Sequence, residues 1–161
     1  MKETEKLFFE LIQVSLGNRA SLSKNPSEKE WKEMLAIAQK HAVVGIASVA
    51  LNELVEQGVR LTKQLLLQWI GTSEQIKYRN IIVNQRCNEL ETILVSGGFK
   101  SCVLKGQGTA LYYKNSLYRQ SGDIDVWVKG KRDDIFGFAK KNGLNIGHVD
   151  IKHSDIGFFE D

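Results

Sequence analysis

The stretch SGDIDVWV, Ser121 to Val128, sets two carboxylates one residue apart at the start of an apolar run. A strand buried on both faces reads as a nearly unbroken apolar sequence, so the two acids need a physical reason. Alternate residues of a strand point to the same face. Asp123 and Asp125 are therefore expected to project together, with Ile124 and Val126 directed the other way. Two such carboxylates repel each other unless positive charge lies between them. A divalent cation supplies that charge, and an oxygen-only donor set favours Mg²⁺ or Mn²⁺, completed by water and substrate phosphates.

Upstream lies VLKGQGT, Val103 to Thr109, where an apolar strand runs through two glycines into a short helix. Gly106 and Gly108 permit close approach of the backbone to a phosphate. A helix N-terminus offers free N–H groups and partial positive charge, and Lys105 adds a full one. The motif is neither a Walker A sequence nor a dinucleotide fingerprint, and a glycine turn that serves geometry alone is the competing reading. Its position just before the acidic pair brings a phosphate cradle and a metal site close together. On that reading the acids hold metal for a nucleoside triphosphate.

Outward from this region the chain divides in texture. Phe99–Leu104 and Asp123–Val128 read as strands, Lys131–Gly143 as a helix closed by glycine, and LNIGHVDIKH and IGFF as further strands. Residues 1–97 read as helices. Leu7, Leu11 and Val14 share one helical face, as do Trp31, Met34, Leu35 and Ala38. Ser27 and Glu30, just after the single proline Pro26, fit a capping box. A third helix ends at Gly58, and a fourth spans about residues 62–96, its polar middle, Ser73–Asn80, reading as a kink or a surface face. His41 reads as a residue at a helix end. The predicted class is α+β: a helical module, 1–97, followed by a partial mixed β-sheet with flanking helices, 98–161.

Composition sets the frame. The chain has 161 residues, 42% hydrophobic and 25% charged, an ordinary globular balance. The net charge of +3 admits an anionic substrate but lacks the dense basic stripe of a nucleic-acid binder. KGKR at Lys129–Arg132 is short and reads as a solvated turn. Two cysteines in no metal-type spacing point to a reduced, cytoplasmic protein. No apolar run approaches the length of a membrane span.

The segment LKGQGTALYYKNSLYRQSGDIDVWV, Leu104–Val128, resembles the nucleotidyltransferase superfamily, with its DNA polymerase beta-like fold. There a glycine turn on the first strand precedes an acidic pair on the second. More narrowly it is similar to the bacterial uncharacterised nucleotidyltransferase family. Lys105, Gly106, Tyr112 or Tyr113, Arg119, Asp123 and Asp125 match that pattern. The upstream EWKEMLAIAQKHAVVGI is similar to its helical lead-in. The resemblance covers most of the chain.

It implies transfer of a nucleoside monophosphate from an NTP, by default ATP, to an acceptor hydroxyl with release of pyrophosphate. Asp123 and Asp125 would be the catalytic metal ligands. Lys105, Gly106, Gln107, Gly108, Thr109, Arg119 and Ser121 would bind the nucleotide. The alternative for Arg119 is pairing with Asp123 or a helix end, and Tyr112 and Tyr113 read as core or rim residues. The resemblance also implies a third carboxylate on a later strand, after a segment like Lys152-His153, and so beyond Asp161 in a chain expected to be truncated. Asp150 and Asp155 read as bystanders. The expected acceptor is a small molecule or a protein rather than a nucleic acid. Two other classes remain: a non-catalytic nucleotide- and metal-binding regulatory or scaffold domain, and a purely structural use of the acids and the glycine turn.

Overall fold

The structure is a computed structural model that describes residues 2–120, 122–150 and 153–157. Four helices come first: α1 (Glu3–Ser15), α2 (Glu28–Lys40), α3 (Val44–Glu56) and α4 (Lys63–Ser96). Then follow β1 (Lys100–Val103), α5 (Lys105–Ala110), a single 3-10 turn (Ser116–Tyr118), β2 (Val126–Lys129), α6 (Arg132–Lys141), β3 (Asn145–Val149) and β4 (Ser154–Gly157). The class is α+β.

The apolar faces legible in the sequence are the ones that are buried. Leu7, Leu11 and Val14 of α1, and Trp31, Met34, Leu35 and Ala38 of α2, meet Leu51 and Leu54 of α3 and Leu65 and Trp69 of α4 in one core. Trp31 and Trp69 pack edge to face, 6.4 Å between centroids, a favoured geometry for aromatic pairs. The capping box is formed: the Ser27 amide donates to Glu30 Oε2 at 2.7 Å, and the Glu30 amide donates to Ser27 Oγ at 3.3 Å. His41 is the C-cap of α2. Ala42 follows with φ 55°, and Val43 N–H closes the turn onto the Ala38 carbonyl at 2.9 Å. Gly58, at φ 98°, ends α3.

The helix α4 runs unbroken for 34 residues, about 51 Å at ~1.5 Å per residue. Its polar middle is neither kinked nor wholly a surface face. Ser73, Ile76, Asn80 and Val83 continue the buried stripe begun by Leu65 and Trp69. The strand-bearing part rests on that stripe.

The sheet differs from the mixed one expected. β1 pairs antiparallel with β2, and β3 antiparallel with β4. Among the described residues the two ladders share no hydrogen-bonded edge. Among the described residues β3 bonds only β4, and no parallel pair joins it to β1 or β2. No helix among the described residues is long and apolar enough to cross a membrane. Ile151, Lys152 and Phe158–Asp161 lie outside the described residues, and with them part of the expected last strands and the Lys152 segment.

Candidate active site

The acidic strand begins later than its sequence suggests. β2 starts at Val126, so neither Asp123 nor Asp125 is inside the ladder as expected. The reason lies in the partner. β1 ends at Val103, opposite Val126, and the chain then turns at Gly106. One further bond, Leu104 N–H to the Asp125 carbonyl at 2.8 Å, extends the pairing. Asp125 thus sits at the mouth of the ladder and keeps the alternation with Trp127. Asp123 lies in a bend two residues before it.

The glycine turn does approach the acids. Gly106 has φ 44°, a left-handed conformation that side chains rarely adopt, and a Cβ there would lie 3.4 Å from the Asp123 carbonyl oxygen. A Cβ on Gly108 would come within 2.7 Å of the Val103 carbonyl oxygen, so this close approach of α5 to β1 also requires glycine. Lys105 Nζ stands 3.6 Å from Asp125 Oδ1. The turn and the acidic pair therefore form one corner, in which Gly106 is buried, Asp125 half-buried and Asp123 exposed.

The other predicted residues divide. Thr109 Oγ donates to the Gly106 carbonyl at 3.1 Å and so braces the turn. Gln107 Nε2 donates to Asn84 Oδ1 of α4, turning this side chain toward the helix. Arg119 makes no ion pair with Asp123 among the described residues. Its carbonyl accepts from Asn80, and its Nη1 is buried without a hydrogen-bond partner. Tyr112 and Tyr113 are exposed. Ser121 lies outside the described residues.

What holds this corner to the helices was not evident from the motif. Asn80 is 1% exposed, and its Nδ2 donates to the carbonyls of Leu117 at 2.7 Å and Arg119 at 2.8 Å. The Tyr118 hydroxyl donates to Glu74 Oε1 at 2.8 Å. Burial and this bond push the Tyr118 phenol up, while the bonds from Tyr118 and Lys77 hold the Glu74 carboxyl below its ordinary value. On the other side, a Cβ on Gly45 of α3 would lie 2.1 Å from the Tyr118 carbonyl oxygen, so the 3-10 turn is seated against bare helix backbone. Lys114 pairs with Glu53 of α3 at 3.0 Å. The segment leading into the acids is thus fixed at α3 and α4. The only signal in the sequence was the polar run SEQIKYRN inside an otherwise amphipathic helix.

The donor set fits a hard divalent cation. Asp123 is exposed and without a partner among the described residues, and Asp125 has only the 3.6 Å lysine contact. Both carboxylates can accept a cation that also carries water and phosphate oxygens. Among the described residues no three His, Cys, Asp or Glu side chains gather in metal-ligand geometry.

Comparison with known proteins gives one match. The model of the uncharacterised nucleotidyltransferase family matches residues 27–157, from the capping box of α2 to the end of β4. No curated protein and no solved structure matches the chain. The match takes in the helical lead-in, the glycine turn and the acidic pair together, and the chain belongs to the uncharacterised nucleotidyltransferase family.

Proposed function

We propose that this nucleotidyltransferase moves a nucleoside monophosphate from an NTP, ATP by default, to a hydroxyl of a small-molecule or protein acceptor. The acceptor oxygen bonds to the α-phosphorus, the bond from that phosphorus to the bridging oxygen breaks, and pyrophosphate leaves with those electrons. The acceptor's proton passes to solvent. The observation that carries the reading is the corner itself: an acidic pair beside a glycine turn, in a chain of this family.

Each residue has a role on this reading. Asp123 and Asp125 hold Mg²⁺ or Mn²⁺. When bound, that cation would neutralise the charge of the triphosphate, and a second cation shared with a third carboxylate would lower the pKa of the acceptor hydroxyl, a two-metal mechanism. Lys105, 3.6 Å from Asp125, would offer its charge to a phosphate oxygen of the nucleotide. Gly106 and Gly108 let the turn pack against the Asp123 and Val103 carbonyls, and Thr109 keeps in shape the turn that would bind the triphosphate. The unpartnered Nη1 of Arg119 is one buried donor short of an acceptor, a debt that a phosphate oxygen would settle.

Isothermal titration of Mg²⁺-ATP and Mg²⁺-CTP into the wild-type chain and an Asp123→Ala/Asp125→Ala variant tests the reading. Binding is expected to need both the metal and the acids. Equal binding by the variant, or by the wild type in EDTA, would overturn it. Thermal melts of both proteins check that the variant remains folded.

A further inference from the structure

A cavity lies against the anchored segment. It has a volume of about 410 Å³ and is lined by Gln39 of α2, Val44 of α3, Thr72, Gln75, Ile76, Arg79 and Asn80 of α4, and Gln120. Small-molecule sites begin at about 300 Å³. Gln120 precedes Asp123 by three residues, which bounds the distance between their Cα atoms at about 11 Å. The cavity and the acidic corner therefore lie within a few residues of each other along the segment that Asn80 fixes to α4.

The buried Val44 and Ile76 form its apolar part, and the rest of the lining is polar. Three exposed carboxamides from three separate parts of the chain converge on it. Each amide can both donate and accept, which matches the paired donor and acceptor character of hydroxyl groups. Thr72 Oγ donates to the Gln68 carbonyl at 2.9 Å, which leaves its lone pairs to accept. Arg79 is the one charged residue of the lining, and among the described residues it has no ion-pair or hydrogen-bond partner. A free guanidinium among neutral amides recognises a single carboxylate or phosphate. One cation is too few for a nucleic-acid strand, which calls for a basic stripe.

We propose that this cavity is the acceptor subsite, and that the acceptor is a small polyhydroxylated molecule carrying one anionic group. The inference rests on the nucleotidyltransferase reading above and adds the substrate class. Arg79 holds the anionic group, the glutamines hold the hydroxyls, and the reacting hydroxyl points past Gln120 toward the acids.

The test follows the side-chain amide signals of Gln39, Gln75 and Gln120 and the Arg79 Nε signal by NMR. The probes are gluconate and glucose 6-phosphate, with glucose and a short single-stranded oligonucleotide as controls. One or both anionic sugars are expected to move all three glutamine signals, and which one binds tells carboxylate from phosphate. Arg79→Met is expected to weaken that binding about tenfold or more with its melting temperature unchanged. The inference fails if neither anionic sugar moves the glutamines, if glucose binds as well as they do, if Arg79→Met binds like the wild type, or if only the oligonucleotide binds. Mg²⁺-ATP added to the same samples reads the other claim through the Gly106 and Asp125 amides. If those respond while the cavity stays silent, the inference alone fails. A cavity that binds anionic sugars beside a corner blind to Mg²⁺-ATP overturns the nucleotidyltransferase reading, and the acceptor assignment with it.

Discussion

Leu7, Leu11, Trp31, Met34, Leu51, Leu54 and Trp69 are sealed from water, whereas beyond Leu94 the only buried apolar side chains among the described residues are Ala110 and Ala139. The first group draws its stability from apolar burial. The strand-bearing part rests on the Val83, Leu90 and Leu94 stripe of α4 and adds polar ties to α3 and α4: Asn80 to two carbonyls, Glu74 to Tyr118, Asn84 to Gln107 and Glu53 to Lys114. The helices act as a rigid seat, and the corner with the acids stays open to solvent. That openness is what the proposed binding of a triphosphate and a cation would need.

Substitutions in the two regions should therefore differ in size and in kind. The largest effect is expected from Trp69→Ala, which removes the edge-to-face partner of Trp31 from the core. It should cost about 3–5 kcal/mol, read as a lower urea midpoint, and it should affect hydrogen exchange throughout the helices. A loss confined to α4 would contradict a single shared core. Asn80→Ala should cost less, about 1–3 kcal/mol, because it leaves two carbonyls without their donor. Its signature is local: faster hydrogen exchange at residues 116–120 with the α1–α3 amides unchanged. If exchange rose in the helices instead, Asn80 would belong to the core and not to the seat.

The smallest effect concerns the cap of α2. Hydrogen bonds from Lys24, and then from the Ser27 amide and hydroxyl, hold the Glu30 carboxyl down at about 2. A carboxyl depressed in the folded state adds stability above its unfolded value of about 4.3, and that stability is lost as pH falls through the folded value. The melting temperature of the wild type should thus fall more steeply than that of Glu30→Gln between about pH 4.5 and pH 2. Parallel curves would show that the capping box carries no pH-dependent stability.

What could be read from the sequence followed from how local its cause was. The Ser27–Glu30 box and the Leu7, Leu11, Val14 face depend on neighbours within a few residues, and both are found as expected. Asn80 was misjudged because its partners lie 37 and 39 residues away, and a polar residue in mid-helix reads as exposed when its acceptors are out of view. The start of β2 was misjudged for a similar reason. DIDVWV alternates well enough to be a strand from Asp123, but pairing stops where β1 turns at Gly106, a limit set by the partner segment. The nearness of the glycine turn to the acids was legible, because both motifs are short and close in sequence. The cavity beside them was not, since Gln39, Gln75 and Gln120 meet only in the folded chain.

The proposed metal site at the acidic corner can be tested without knowing the acceptor. Mn²⁺, being paramagnetic, broadens the NMR signals of nuclei near it, so substoichiometric Mn²⁺ added to the labelled protein with ATP reports where the cation sits. The amides of Lys105, Gly106, Ile124 and Asp125 are expected to broaden first, and those of Leu11 and Leu54 to stay sharp. Broadening centred instead on His148, Asp150 and His153, where two imidazoles lie 5.9 Å apart beside a carboxylate, would contradict the assignment of Asp123 and Asp125. So would spectra that Mn²⁺ leaves unchanged.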